Sequence, residues 1–181
     1  MAKPWLLLLA LLSAPVLAAP QVTFTTSLGP FTVELNPQQA PITVNNFLRY
    51  VKDGSYVGSQ FHRVIPGFMA QGGGFDADLK RLNTYRPIKN EAGNGLTNDK
   101  ATIAMARTQS PNSATRQFFI NLADNDFLNY SRNSAGYAVF GHVTSGFDVV
   151  ESMAKQPTHS VGFMKNVPTT PIVIKKVTYT P

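Results

Sequence analysis

The sequence predicts a mainly β fold in which a closed sheet has its ends covered by two helices. Between Phe61 and Val143 the apolar runs are short and are separated by Gly, Asn, Asp and Pro, which is typical of consecutive strands. Two isolated segments have helical spacing instead. A sheet of many short strands exposes no edges when it closes on itself, so closure is the expected arrangement.

The first predicted element is a β-hairpin. Residues 22–35, VTFTTSLGPFTVEL, alternate apolar and polar side chains on both sides of Leu28-Gly29-Pro30. This alternation is typical of two half-buried strands joined by a turn. Further strands are predicted for FHRVI, FMAQ, TIAMA, QFFINL and YAVFGHV, and for PIVIKKVTYT at the end of the chain.

Two segments are predicted to be helical. PITVNNFLRYVKDG has apolar residues at i, i+3, i+4 and i+7 from Val44, with Pro41 near its start and Gly54 at its end. SGFDVVESMAK has apolar residues near helical spacing behind Ser145, which is a candidate N-cap. The glycines at 72–74 lack the Lys and Ser/Thr of a phosphate-binding loop, so they are interpreted as a strand end and turn.

Composition favours one globular domain. The chain has 181 residues, 43% of them hydrophobic, and no compositional shift divides it. Its net charge of +6 comes from scattered Lys and Arg, with Lys175-Lys176 as the tightest cluster. Nucleic-acid binding requires a concentrated basic patch, so no nucleic-acid partner is expected.

The first 18 residues are predicted to be a cleaved signal peptide, and residues 19–181 form the mature domain. Lys3 precedes an apolar run from Trp5 to Leu12, and small residues follow up to Ala19. The run is shorter than the roughly 20 residues of a spanning helix, so no stable membrane anchor is expected. Export to the periplasm is the expected location, and the chain contains no cysteine for a disulfide there.

The usual catalytic and metal-binding patterns are missing from the sequence. The three histidines share no ligand-like spacing, and HExxH, GxSxG and P-loop motifs do not occur. No metal and no cofactor are therefore expected, and His62 is interpreted as a structural histidine. The remaining possibility is a reaction that needs no nucleophile.

Strand alternation places one apolar and one amide side chain together twice. Met69 and Gln71 share one face of their strand, and Gln117 and Phe119 share one face of theirs. Arg63, and Phe127 with Leu128, can complete an apolar pocket with hydrogen-bond donors on its rim. For each of these residues taken alone, core packing or a place on a solvated rim is favoured over a functional role.

The segment FHRVIPGFMAQGGGF at 61–75 resembles the signature of the cyclophilins, which are peptidyl-prolyl cis-trans isomerases. IAMART, SATRQFFIN and GYAVFGHV are similar to later cyclophilin segments and occur in the same order. RPIKNEAGNGL and PTHSVGFMKNVP further resemble the periplasmic cyclophilins of Gram-negative bacteria. The resemblance covers the chain from Val22 to about Tyr179, and it implies a closed eight-stranded antiparallel β-barrel capped by two α-helices.

The resemblance also implies site residues and their roles. Arg63 would be the catalytic cation, and Gln71 and Phe119 would complete the catalytic group. The implied substrate-binding residues are Phe68, Met69, Ala106, Arg107, Gln117, Phe127, Leu128 and Tyr137. Among these, Ala106-Arg107 would hold the substrate backbone, and Gln71 and Gln117 would form a polar rim.

Three positions depart from the family pattern. Arg107 replaces a common Asn, Phe127 stands where many eukaryotic members have Trp, and Tyr137 stands where they have His. The changes at Phe127 and Tyr137 predict weak cyclosporin binding beside ordinary isomerase activity.

The sequence therefore predicts a monomeric isomerase that accelerates X-Pro isomerisation in unfolded or flexible polypeptides. The alternative is a proline-peptide binding module or holdase chaperone that uses the same pocket without significant turnover. A structural or adhesin-like barrel is a third class, but such a barrel would not need the Arg, Gln and apolar groups together.

Overall fold

The computed structural model describes residues 19–181, so the predicted signal peptide at 1–18 lies outside the described residues. Within residues 19–181, no helix has both the length and the apolar character needed to cross a membrane. The polypeptide in this range forms ten β-strands, two α-helices and one short 3₁₀ helix.

The elements follow one another in this order: β1 Gln21–Thr26, β2 Gly29–Leu35, α1 Pro41–Lys52, β3 Ser59–Ile65, β4 Met69–Asp76, β5 Thr102–Met105, β6 Phe118–Asn121, the 3₁₀ helix Asp126–Leu128, β7 Val139–Ser145, α2 Phe147–Met153, β8 Thr158–Val161, β9 Met164–Pro168 and β10 Ile172–Thr180. Eight strands close into an antiparallel barrel in the order β1-β10-β3-β4-β6-β5-β7-β2. Strands β8 and β9 form a separate hairpin. The predicted closed barrel with two helices is confirmed.

Aromatic rings fill the inside of the barrel. Phenylalanines from five strands and one helix meet there with neighbouring centroids 5.0 to 6.1 Å apart, and all are at most 1% exposed. They include Phe24, Phe31, Phe47, Phe61, Phe118 and Phe140. The alternating pattern of β1 and β2 places one apolar face of this first hairpin against the rings, as the sequence predicted. The interior is thus a packed core rather than a ligand cavity.

The predicted helix α1 begins at Pro41 and obtains its N-terminal cap from a distant loop. Its N-cap residue, Ala40, offers no side-chain hydrogen bond. The Glu91 carboxylate instead accepts bonds from the backbone N–H groups of Ile42 at 3.1 Å and Thr43 at 2.8 Å. A negative charge at a helix N-terminus is stabilising. Glu91 therefore ties the long loop between β4 and β5 to the helix.

A buried arginine joins three separate segments beside the barrel core. Arg116 is 2% exposed, and its guanidinium donates to the carbonyl oxygens of Gly73 at 2.5 Å, Asn83 at 2.8 Å and Ser55 at 2.6 Å. Burial lowers the pKa of this guanidinium from its ordinary value. The Tyr56 hydroxyl donates a hydrogen bond of 2.8 Å to the backbone carbonyl of Arg116. This network fixes the chain immediately before β6.

Two details of the sequence prediction are wrong. Ser145 is the last residue of β7 and does not cap α2; the N-cap is Gly146, which adopts the left-handed conformation at φ 73°. The chain turns sharply from strand to helix there, and glycine permits that backbone conformation. The glycines at 72–74 do not end a strand, because they lie inside β4.

The hairpin of β8 and β9 was not predicted from the sequence. Every residue of β8 is exposed, so the strand has no apolar alternation that could reveal it. The hairpin packs on the outside of the barrel, next to β3.

Candidate active site

A second, smaller apolar cluster lies on the outside of the barrel. Phe118 and Phe119 are neighbours in β6, and they point to opposite faces of the sheet because side chains alternate along a strand. Phe118 belongs to the interior core, whereas Phe119 packs with Met69, Leu128 and Val139 in the outer cluster. The outer cluster forms the base of a candidate site.

A cavity of about 140 Å³ opens over this cluster. Nine of the eleven side chains predicted to form the site line it: Arg63, Phe68, Met69, Gln71, Ala106, Arg107, Phe119, Leu128 and Tyr137. The fold therefore brings residues from six separate segments of the chain to one place on the surface. Their roles in catalysis and binding remain predictions.

Three predicted residues stand in one row across adjacent strands. Arg63 of β3 is paired with Gln71 of β4, and Gln71 is paired with Phe119 of β6. Directly paired residues project from the same face of a sheet, so this register places a cation, an amide and an aromatic ring side by side. The register of the barrel thus determines the order of these groups along the cavity.

The two glutamines of the site are joined to each other. Gln71 Nε2 donates to Gln117 Oε1 at 2.9 Å. The Gln117 side chain can lie over β4 because residue 74 is glycine: a Cβ at Gly74 would lie 2.5 Å from it. Gln117 does not line the small cavity but fixes the orientation of Gln71, which does.

The two arginines at the cavity differ in the use of their hydrogen-bond donors. Arg107 donates to the carbonyl oxygens of Gly136 and Thr108, both at 2.9 Å, and stands 4.4 Å from the centroid of the Tyr137 ring. Within residues 19–181, the Arg63 guanidinium makes no hydrogen bond, and the only salt bridge joins Lys100 to Glu151. Arg63 therefore presents its N–H groups to whatever enters the cavity.

Phe127 lies at the edge of the site and not in the cavity. It is 70% exposed, and its ring centroid lies 5.6 Å from that of Phe68. Leu128, the next residue of the 3₁₀ helix, is 9% exposed and lines the cavity wall. The short helix thus directs one apolar side chain into the site and leaves the other on the surface beside it.

Three buried asparagines hold the loops that carry the cavity walls. Asn125 Nδ2 donates to the Phe68 carbonyl at 2.9 Å and to Asn121 Oδ1 at 2.7 Å. Asn121 Nδ2 bonds Asn98 Oδ1 at 3.3 Å, and Asn98 Nδ2 in turn reaches the carbonyl of Leu128 at 3.3 Å. All three side chains are at most 3% exposed. Sequence reasoning missed this network; its only signal is the repeated Asn in INLADNDFLN.

His62 is buried next to Arg63 but faces a different cavity. It is 5% exposed, and its ring lies 4.6 Å from that of Phe75. Burial, with a smaller contribution from the charge of Arg63, lowers the pKa of His62 from 6.5 to about 4. The imidazole is therefore neutral at pH 7. This is compatible with the structural role predicted for it, although its Nδ1 has no hydrogen-bond partner among the described residues.

These features define a class of protein: a closed β-barrel with a filled interior, which carries an apolar cavity on its outer surface beside a cation that has no ion-pair partner among the described residues. Among residues 19–181, no group of His, Cys, Asp or Glu is arranged to hold a metal ion. The cavity is small enough for one apolar side chain, and its rim offers donors for a peptide backbone.

Comparisons with known proteins identify the family. Residues 21–179 match the family described as cyclophilin type peptidyl-prolyl cis-trans isomerase/CLD. A peptidyl-prolyl cis-trans isomerase of Acinetobacter baylyi is 54% identical over 167 residues, which are 92% of this chain and 89% of that protein. Peptidyl-prolyl cis-trans isomerase B of Escherichia coli is 50% identical over 160 residues, 87% of this chain and 98% of that protein.

Solved structures agree with this relationship. A cyclophilin type isomerase of Cryptosporidium parvum matches with a TM-score of 0.74 at 26% identity, covering 89% of this chain and 97% of that one. The same protein was also crystallised in the presence of the dipeptide Ala-Pro. The chain belongs to the cyclophilin family of peptidyl-prolyl cis-trans isomerases, and members of this family bind proline-containing peptides.

The low pKa of His62 predicts a loss of stability in mild acid. The unfolded chain takes up a proton near pH 6.5, whereas the folded chain resists protonation until about pH 4. Between these pH values the unfolded state binds more protons than the folded state. The stabilisation that neutral His62 contributes to the free energy of unfolding is therefore fully present above pH 6.5, and it decreases as the pH falls toward 4. We expect a loss of up to about 3 kcal/mol from this group.

Urea unfolding of the wild type and of His62→Gln at pH 7.0, 6.0, 5.0 and 4.5 measures this contribution. The wild type should lose stability more steeply than the variant across this range. His159→Gln, at an exposed histidine, is the matched control and should retain the wild-type slope. Equal slopes for the wild type and His62→Gln would contradict the prediction.

Proposed function

We propose that this isomerase lowers the barrier to X-Pro rotation by donating a hydrogen bond from Arg63 to the nitrogen of the twisted amide. One observation carries the proposal: the Arg63 guanidinium lines the apolar cavity, while no described side chain or carbonyl accepts a bond from it. Proline-containing segments of exported proteins, unfolded or flexible, are the proposed substrates.

The proposed role of Arg63 follows from the electronic change during rotation. A planar amide delocalises the nitrogen lone pair, and this resonance creates a barrier of about 18–20 kcal/mol. Twisting the bond localises the lone pair on the proline nitrogen. A donor at that nitrogen is bonded better in the twisted state than in either planar state, which is the requirement for catalysis. Guanidinium suits this role because it stays protonated and holds several N–H groups in a rigid plane.

Arg63 cannot supply the whole acceleration. Shortening a process of about 100 s to roughly a millisecond requires about five decades, or on the order of 7 kcal/mol. A hydrogen bond from a charged donor contributes about 1.5–3 kcal/mol. The remainder has to come from holding the substrate in a reactive geometry and from excluding water.

The apolar wall supports this second contribution. Phe68, Met69, Phe119 and Leu128 would clamp the proline ring while the preceding carbonyl group rotates. The Ala106-Arg107 segment would hold the substrate backbone beside the ring. Gln71 is held by Gln117 at 2.9 Å, so it can meet the displaced amide without first being ordered. No covalent intermediate is needed.

Arg63→Ala should reduce kcat/KM by about two to three decades, equivalent to about 3–4 kcal/mol, with the fold intact. Arg63→Lys should recover little, because a point charge on a flexible stem does not reproduce the planar guanidinium. A protease-coupled assay on a short Xaa-Pro peptide, with circular dichroism of each variant, provides the measurement.

Arg86→Ala is the matched control, because Arg86 is exposed and does not line the cavity. It should leave kcat/KM unchanged. Activity of Arg63→Ala within threefold of the wild type would refute the proposed role. A wild-type chain that binds the peptide without turnover would favour the alternative, a proline-peptide binding module or holdase.

Cyclosporin binding is proposed to be weak because Phe127 offers an exposed ring without a donor. An indole N–H would hydrogen-bond a ligand carbonyl that Phe127 leaves unpaired, at a cost of about 1–3 kcal/mol. Phe127→Trp should therefore tighten cyclosporin binding by about one to two decades, measured by titration. Peptide turnover should change far less, because Phe127 lies outside the cavity. Nanomolar binding of cyclosporin by the wild type, or no gain in cyclosporin affinity in Phe127→Trp, would contradict this proposal.

Export to the periplasm is proposed from the sequence of the first 18 residues. The order of Lys3, an apolar run and small residues is that of a cleaved signal peptide. Mass spectrometry of protein from the native host should find a chain that starts at Ala19 in the periplasmic fraction. Recovery of mostly intact chains beginning at Met1 would overturn this proposal.

A further inference from the structure

A second cavity, of about 390 Å³, adjoins the proline site. Arg63 lines both cavities. Gln117 lines the second cavity and bonds Gln71 of the first. The residues around the second cavity are His62, Arg63, Phe75, Arg81, Gln117, Phe163, Met164 and Lys165. A polypeptide that places a proline in the first cavity can therefore continue directly into the second.

The lining of this second cavity is cationic. Arg63, Arg81 and Lys165 contribute three positive charges, and no acidic side chain lines it. The nearest carboxylate in the sequence of β4, that of Asp76, accepts bonds from the backbone N–H groups of Asp78 and Lys80 at 3.0 and 2.9 Å. Within residues 19–181, none of the three cations takes part in a salt bridge. Among the described residues, no ion pair neutralises the cations that line the cavity.

Two further features distinguish this cavity from an ordinary basic surface. His62 lines it as a buried neutral imidazole whose Nδ1 has no partner among the described residues. Phe163, at the tip of the β8–β9 hairpin, lines it with a ring that is 96% exposed. A buried polar atom without a partner is costly, and an aromatic ring so exposed is available to cover a ligand.

We propose that this cavity is a second substrate subsite, which takes an acidic side chain from the segment flanking the proline. The inference rests on the proposed function, because Arg63 is the wall that the two cavities share. An extended peptide advances about 3.3–3.4 Å per residue, and the two cavities share Arg63, so the Asp or Glu would stand within a few residues of the proline. Arg81 and Lys165 bind the carboxylate, and Phe163 covers the backbone beside it.

Matched peptides test this preference. Each pair contains the same Xaa-Pro bond and differs only by Glu or Gln, two or three residues before or after the proline. NMR exchange spectroscopy measures catalysed isomerisation without a coupling protease. For at least one position, the wild type should show kcat/KM about three- to tenfold higher for Glu than for Gln, as expected for two or three partly solvated charge pairs. The preference should fall in 1 M salt, where the Debye length is about 3 Å.

A charge-matched control separates the subsite from the overall positive charge of the chain. Lys165→Glu should abolish or reverse the Glu preference at that position. Lys176→Glu removes the same amount of positive charge from an exposed position on β10 that lines neither cavity, and it should keep the wild-type ratio. Binding of the carboxylate by Lys165 predicts this difference, whereas general attraction by a net charge of +6 predicts equal effects.

Two results would overturn the subsite. One is a Glu-to-Gln ratio within about 1.5-fold of one at all four positions in the wild type. The other is an equal decrease of the ratio in Lys165→Glu and Lys176→Glu. Either result leaves isomerisation of both peptides intact, so it is distinguishable from failure of the proposed function, in which neither peptide would be isomerised and Arg63→Ala would have no effect.

Discussion

The structure depends on the alternation of side chains along the strands of a barrel whose interior is full. Phe118 occupies the interior with the other core rings, so the next residue, Phe119, must point outward. Because the interior has no room for a ligand, the functional groups lie on the outer face, where Arg63, Gln71 and Phe119 form one row across three strands. A slip of one residue in the β4–β6 register would exchange the two faces and destroy core and site together.

The outer site is held in place by buried polar side chains beneath and beside it, which form hydrogen bonds with one another and with the backbone. Phe68 lies in a turn and Leu128 in a single short 3₁₀ helix, and such segments are more mobile than strands unless further contacts support them. The chain of amides from Asn125 through Asn121 to Asn98 bonds the carbonyls of both segments within a buried region. A fully bonded network of this kind holds one geometry, since any rearrangement leaves a buried amide without a partner.

The sequence was sufficient where apolar periodicity is strong. It predicted the first hairpin, the helix from Pro41 and the strands that carry Arg63, Gln71 and Phe119. It was insufficient where structure depends on long-range contacts. The Gln71–Gln117 bond needs the glycine at 74 and the exact position of a loop residue, and the cap of α1 comes from Glu91, about 50 residues downstream. The β8–β9 hairpin has no buried alternation, so the cavity beside it could not be expected.

Three arginines near the site show why residue type alone does not identify a catalytic group. Arg116 is buried and donates to three carbonyl oxygens, so it holds the fold and is closed to a substrate. Arg107 lines the cavity, but two of its N–H groups are bonded to carbonyls and its plane rests against Tyr137.

Arg63 differs from Arg116 and Arg107. Its side chain projects from β3 into the cavity lining, and no acceptor among residues 19–181 forms a hydrogen bond with it there. Its nearest aromatic neighbour is Phe68, whose centroid lies 6.0 Å from the guanidinium carbon, a contact too weak to occupy the donors. An acidic residue at this edge would bind Arg63 in the resting protein, and a substrate would then have to break that pair before the cation could act. The absence of a carboxylate from both cavity linings therefore leaves Arg63 available to the substrate.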